Sequence, residues 1–448
     1  MELSVDTKSE KHHPGHEYHP RTVSVLQQIF KDHFYKFEED YASKYAHQLG
    51  DYRIIRFKKV SERFIYCGDY TQGIARIHCD SCGHDLFIPF SCKGFFLCPS
   101  CGQKRTLMFA EHLIEDVLLD VPHKHYVFTF PKRIRPYFRR NWELFSDISH
   151  LIYEMMVKFY EQAAGKSIFT AGIVSYQTFG NHLRFNPHFH SIFIEGGFDQ
   201  DGRFVFIPMT ETANMEQYFR EQVLGYFMEK GILPESDGVK MLRWEHSGFS
   251  INNATRIYIS NARLKENMSE YIVRAPISLQ KLIYDPSGGK VIVHTKYNPW
   301  YKENMEVMDA EDFIATVLQH VPPKGKHLTR YYGLYSSRSR WKWEEKEFLE
   351  KIFPRGFREG LEEKEKSKDN NESKELAAER VALKKRNSAW RRLICRVYEV
   401  DPMICPKCGS EMRVMAIITD PLEVKKILNH LLKIGRPPPG IENYSLVG

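Results

Sequence analysis

Apolar positions along the chain change their period several times, and the changes outline its elements. In RTVSVLQQIFKDHFYKFEEDY (21–41), Val23, Leu26, Ile29 and Phe30 recur at three- and four-residue steps, which predicts a helix with one buried face. TLMFAEHLIEDVLLDVP (106–122) is amphipathic in the same way and stops at Pro122. The period then shortens. HKHYVFTFP (123–131), SIFTAGIVSYQTFG (167–180), HFHSIFIEGG (188–197) and GRFVFIPM (202–209) are rich in aromatic and β-branched residues and read as strands. The short polar loop between the second and third of them predicts an antiparallel hairpin, with the strand of the second arm starting at Pro187, which has no N–H for a ladder. A helix over 212–231, a strand over 255–260 and a helix over 261–276 that stops at Pro276 complete the reading, and the mixture predicts an α+β fold.

The pattern divides the chain. Residues 1–20 form a polar, histidine-rich tail, 21–122 a helical and cysteine-rich domain, 123–345 the α+β core, 346–380 a charged linker and 381–448 a small module where apolar periodicity returns. A chain of 448 residues has room for two to four domains. A net charge of +7 permits a nucleic-acid partner without requiring one. The N-terminus carries no apolar signal core and no run is long enough to span a bilayer, which predicts a soluble, intracellular protein.

Nine cysteines change the picture, because six of them fall within residues 67–101. In a reducing compartment such crowding points to metal rather than disulfides. Cys79/Cys82 and Cys98/Cys101 form C-x2-C-x15-C-x2-C, and each pair can turn two thiolates toward one zinc ion. Gly83 and Gly102 follow the pairs, where such a turn calls for positive φ. The expected site is therefore a closed, structural four-thiolate zinc of Cys79, Cys82, Cys98 and Cys101. Cys67 and Cys92 are left over, as buried thiols or substitute ligands. CPKCG (405–409) is a knuckle without an evident second pair; Cys395 and His430 are candidate helpers.

His188 and His190 sit two apart on a strand and so share a face, while Phe189 points to the other. Two adjacent imidazoles suit a divalent metal, although surface or core histidines give the same pattern. Gln177 on the preceding strand is the candidate third ligand, with His182 its competitor. On RLKENMSEYIVRAP, Leu264, Met268, Tyr271 and Ile272 share a helical face. A tyrosine there can reach a metal carried by the sheet, and a core tyrosine fits the same spacing.

CDSCG…SCKGFFLCPSCGQKR, VSYQTFGNHLRFNPHFHSIFIEGG, EYIVRAPIS, HVPPKGKHLTRYYGLYSSRSR and CPKCGSEMRVMA, in that order, resemble the rolling-circle transposases of the insertion-sequence-ninety-one family, including the ISCR group. The resemblance covers roughly residues 25–435. It implies an HUH-nuclease core, an antiparallel sheet flanked by helices, behind an N-terminal zinc-binding domain. It implies that His188 and His190 carry Mg²⁺ or Mn²⁺, and that Tyr271 attacks a single-stranded DNA phosphate to leave a 5′-phosphotyrosine link and a 3′-OH. Asn267 stands four residues before Tyr271, where some members have a second tyrosine, so the chain is similar to the single-tyrosine type. Arg274 is a candidate for the scissile phosphate. The partners implied are element ends and target DNA in the bacterial cytoplasm, at the nucleoid when acting, and the homo-oligomeric state stays open.

KRIRPYFRRNW (132–142) interleaves Lys132, Arg133, Arg135, Arg139 and Arg140 with Tyr137, Phe138 and Trp142. Cations track phosphate and rings stack on bases, so this stretch, with KKRNSAWRR (384–392), is a candidate DNA contact. Two readings compete with transposition: a non-catalytic zinc-dependent DNA-binding protein, and a hydrolase using His-x-His with activated water. The second expects further His and Asp ligands downstream, and no clear set exists.

Overall fold

The computed structural model describes residues 23–94, 96–180, 183–257, 276–298, 303–369 and 403–438. The helix expected over 261–276, with Tyr271 and Arg274, lies outside them, as do His182, Cys395 and the stretch 384–392. The chain forms two units. One comprises Met1–Ser24, Tyr66–Lys93 and Ala378–Gly448; the other comprises Val25–Ile65 and Gly94–Ala377.

The larger unit is built on an antiparallel sheet. Strands β1 (His123–Thr129), β2 (Ala171–Phe179), β3 (Phe185–Ile194), β4 (Ser250–Ile257) and β5 (Thr329–Gly333) pair in the order β5-β2-β3-β1-β4. Strand alternation gives its two faces different characters. One face presents Tyr126, Phe128, Tyr176, Phe189 and Phe193 to a buried aromatic core. Over that face lie α2 (Leu144–Ala164) and α3 (Ala213–Glu229), while α1 (Val25–Asp40) and α4 (Ala310–Leu318) belong to the same unit elsewhere. Ring pairs such as Phe145–Tyr176, with centroids 4.0 Å apart, knit α2 to the sheet, and each contributes about 0.5–1.5 kcal/mol beyond its buried area.

The sheet's other face splits along its length. At one end Ile173, Ile192 and Ile194 pack with Leu119, Leu334 and Trp343. At the other end stand Ser175, Gln177, His188 and His190, all buried. The antiparallel α+β class expected from the pattern is therefore the class found.

The hairpin of β2 and β3 forms as expected, with one difference. The strand begins at Phe185, two residues before Pro187. The register shifts between Gln177 and Phe179, opposite Pro187. A bulge leaves a residue outside the ladder, so the missing N–H of proline costs no hydrogen bond there. In α1, Leu26, Ile29 and Phe30 are buried as the period requires; Val23 precedes the helix and is exposed.

The smaller unit holds a three-stranded antiparallel sheet in the order Arg413–Ile418, Ile74–His78, Asp85–Pro89. The helix Pro421–Lys433 is capped by the Asp420 carboxylate, which accepts the N–H groups of Leu422 and Glu423. It buries Val424 and Leu428 against Tyr70, Ile74 and Phe87. Among the described residues, no helix is long and apolar enough to cross a membrane.

Candidate functional site

Gln177 and His188 face each other directly across the hairpin, and Ser175 faces His190. The sheet thus brings the three sequence-predicted metal candidates together. The rings of His188 and His190 lie 4.9 Å apart between centroids. Both are buried, at 8% and 1% exposure, so neither is a surface histidine. His188 Nδ1 donates 2.7 Å to the Asn186 carbonyl. A carbonyl can only accept, so the neutral ring keeps its proton on Nδ1 and its lone pair on Nε2. His190 Nδ1 lies 3.1 Å from Nε2 of His125, a residue of β1 whose ring stacks on it at 5.3 Å. Burial pushes the His125 imidazole down to about 4, so it is neutral at ordinary pH. Neutral imidazoles with one nitrogen anchored and the other turned away fit a divalent cation, and the Gln177 amide supplies oxygen chemistry beside them.

His188 also lines a cleft of about 410 Å³ with Asn186, Phe179, Lys281 and His294. Pro276, Ile277 and Ser278 form part of its wall, so the chain that follows Tyr271 returns at the histidine edge.

The loop between Gln177 and His188 is clamped from the chain just after α4. His320 Nε2 donates 2.8 Å to the Leu183 carbonyl, and its Nδ1 accepts the Thr178 hydroxyl at 3.0 Å. Gln319 Nε2 donates to the same carbonyl at 3.2 Å. Leu183 itself has φ +54, a conformation that non-glycine residues seldom hold without such support. The buried Arg53 guanidinium donates to the carbonyls of Gln319 and Val321, and so holds the clamp in turn. Nothing in the local sequence pattern announces this arrangement.

The cysteines group differently from expectation. In the smaller unit, Cys79 and Cys82 gather with Cys405 and Cys408, all four sulfurs within 4.8 Å of one another. Cys79 and Cys408 are 3.5 Å apart, as are Cys82 and Cys405. Tetrahedral zinc with Zn–S near 2.3 Å calls for sulfurs about 3.8 Å apart, so the donor set fits zinc. The two knuckles match. Gly83 N–H donates to Cys79 O and Gly409 N–H to Cys405 O, each at 2.9 Å, with φ of 70° and 72°. Hydrogen bonds from Ser410, through its hydroxyl and then its backbone N–H, pull the Cys408 thiol down to about 6. The CPKCG knuckle is therefore not alone, and His430 is not in its cluster. Cys98 and Cys101 belong to the larger unit: Cys98 precedes the helix Pro99–His112 and Cys101 lies within it. Gly102 is helical, with no need of positive φ. Cys67 accepts the Cys92 N–H at 3.2 Å.

The basic stretch 132–142 also differs. Phe138 and Trp142 are core residues, and Tyr137 packs against Phe227, so the rings are committed inside rather than offered to bases. Arg135 donates twice to the Phe130 carbonyl, at 3.0 and 2.9 Å. Arg139 lies over the Phe185 ring, and Arg133 reaches Asp237 at 3.6 Å. Lys132, Arg133 and Arg140 are exposed.

A family described as a putative transposase matches residues 172–342, which contain the histidine hairpin and the cleft; a transposase zinc-binding domain matches residues 29–130. The chain belongs to the insertion-sequence-ninety-one family of transposases. A transposase for insertion sequence element IS801 from Pseudomonas savastanoi pv. phaseolicola is 25% identical over 314 residues, 66% of this chain and 74% of that protein. A putative transposase, y4qJ, from Sinorhizobium fredii is 24% identical over 291 residues, 58% of this chain and 70% of that one. No solved structure matches the chain. The zinc-binding match spans Cys79 and Cys82, whereas Cys405 and Cys408 lie beyond it. As a transposase, the protein acts on DNA.

Proposed function

We propose that this transposase nicks and rejoins single-stranded DNA at element ends through a 5′-phosphotyrosine on Tyr271, in rolling-circle transposition. The observation that carries the reading is the buried face of His188, His190 and Gln177 at the edge of a cleft into which the chain re-enters at Pro276. Tyr271 precedes Pro276 by only five residues in the sequence, which supports it as the nucleophile.

In the step proposed, the Tyr271 oxygen loses its proton to solvent and attacks the phosphorus. The new oxygen–phosphorus bond replaces the bond to the 3′ oxygen, which leaves and takes a proton as a 3′-OH. One phosphodiester is exchanged for another, so the link retains the energy needed for rejoining, when a 3′-OH attacks the same phosphorus and releases the tyrosine. His188 and His190, with Gln177, would hold Mg²⁺ or Mn²⁺, which would supply electrostatic stabilisation of the phosphate charge. Gln177 contributes an amide beside the two rings, and the Asn186 carbonyl fixes the tautomer of His188. Arg274, Lys132, Arg133, Arg139 and Arg140 are proposed to bind the DNA backbone, with Arg135 the weakest candidate because its guanidinium is already engaged.

The test is incubation of a labelled single-stranded element end with Mg²⁺ or Mn²⁺. A covalent protein–DNA adduct that disappears in Tyr271→Phe supports the proposal. An adduct that persists in that variant removes Tyr271 as nucleophile, and binding without any adduct favours a non-catalytic DNA-binding protein.

A further inference from the structure

Two ligand histidines need two anchors, and only one of them is backbone. His188 is held by the Asn186 carbonyl, a group that cannot titrate or change tautomer. At His190 the corresponding place is taken by a side chain from the neighbouring strand. His125 lies on β1 beside the histidine strand, with Val127 directly opposite His190 in the register. Its ring is parallel to that of His190 within 6°.

We infer that His125 is a positioning residue for the metal edge: its Nε2 accepts the Nδ1 proton of His190 and so presents Nε2 of His190, lone pair outward, to a divalent cation. The inference rests on the proposed function, since it presumes that the His190 ring is a ligand. The chemistry follows from the inventory of a neutral imidazole, which has one donor and one acceptor. A ligating nitrogen must be unprotonated, so the proton belongs on the other, and a neighbour that accepts it there fixes ring orientation and raises basicity. His125 can serve because its Nε2 lies 3.1 Å from Nδ1 of His190 with the two rings nearly parallel, where a neutral imidazole nitrogen can accept. A carboxylate in that place would add a charge to a buried wall; imidazole does not. The contact also explains why β1 carries a histidine at a buried position, where packing alone favours an aliphatic side chain.

The experiment uses the full-length, zinc-loaded chain without DNA and follows Mn²⁺ binding by electron paramagnetic resonance of the unbound ion. His125→Phe keeps a stacking ring but cannot accept a proton; His125→Gln offers an acceptor oxygen. The expected result is Mn²⁺ binding weakened roughly 10- to 100-fold in His125→Phe and within about threefold of wild type in His125→Gln. Adduct formation by His125→Phe should then recover at high Mn²⁺, shifting the half-saturating metal concentration rather than the plateau. Should His125→Phe fail to fold by circular dichroism, His125→Leu takes its place in the comparison. Wild-type Mn²⁺ affinity in the Phe or Leu variant overturns the inference, and so does an equal loss in His125→Gln. The double variant His188→Ala/His190→Ala separates the two levels. If it binds Mn²⁺ as the wild type does, the metal edge fails and takes the inference with it. If it loses the ion while His125→Phe keeps it, only the role of His125 fails.

Discussion

Gly172 has no room for a side chain. A Cβ there would lie 2.2 Å from the Phe193 ring on the adjacent strand, inside the aromatic core. Gly172→Ala should lower the thermal midpoint, with a cost of about 1–3 kcal/mol typical of overpacking; an unchanged midpoint would mean that the ring moves aside freely. His320 makes a prediction about pH. Burial pushes its imidazole from 6.5 down to about 4. Above pH 6.5 both folded and unfolded forms are neutral, and the clamp contributes in full. As pH falls toward 4, the unfolded ring takes up a proton that the folded one refuses, so stability declines. In His320→Asn the slope of unfolding free energy between those limits should shrink by about 1.4 kcal/mol per pH unit, one proton's worth, measured by urea titration at several pH values. At this scale the sequence is informative about residue types and silent about their neighbours. The i, i+2 spacing puts His188 and His190 on one face, but His125 and His320 lie 65 and 142 residues from the positions they hold. No local pattern records such contacts.

At the scale of elements, the hairpin is legible because its two signals agree: alternating apolar runs and a short polar loop. The helix Leu144–Ala164, the longest among the described residues, is absent from the expected elements, although Leu144, Ile148, Ile152, Met155 and Met156 keep a helical period and Gly165 ends it with φ +66. The basic and aromatic stretch just before it reads more readily as a DNA contact than as the approach to a helix. In the fold that stretch separates into two groups. Arg135 closes its own turn onto Phe130, whereas Arg140 is exposed at the end of the short helix Arg135–Arg140. If Arg140 pairs with phosphate, Arg140→Ala should reduce the slope of log affinity against log salt for single-stranded DNA by about 0.7. Arg135→Ala should leave that slope unchanged and lower the thermal midpoint. Equal salt slopes for Arg140→Ala and the wild type would place the DNA track elsewhere.

At the scale of the whole molecule, the cysteine spacing misleads because it is satisfied locally. C-x2-C-x15-C-x2-C is a complete zinc signature, and nothing nearby in the chain says that Cys82 meets Cys405 instead of Cys98. The physical reason is that a knuckle specifies only its own two thiolates; the partner pair is chosen by sheet pairing, here Ile74–His78 with Arg413–Ile418. A chain ending at residue 402 should therefore hold one zinc equivalent fewer than the full chain by atomic emission, even though Cys79 and Cys82 remain. Chelation should expose the amides of 74–89 and 413–418 to hydrogen exchange while β2 and β3 stay protected. Unchanged zinc content in the shortened chain would reject the four-thiol site.

The separation of 323 residues between Cys82 and Cys405 also has a meaning in time. At about 5–20 residues per second, a ribosome that has released the first knuckle needs roughly 15–65 s to deliver the second. Throughout that interval Cys79 and Cys82 have only half of a coordination shell, and the histidine hairpin, complete at Ile194, is made well before it ends. The smaller unit closes last, so a transcript broken between codons 195 and 405 yields a polypeptide that carries the histidine hairpin but never completes its metal clasp.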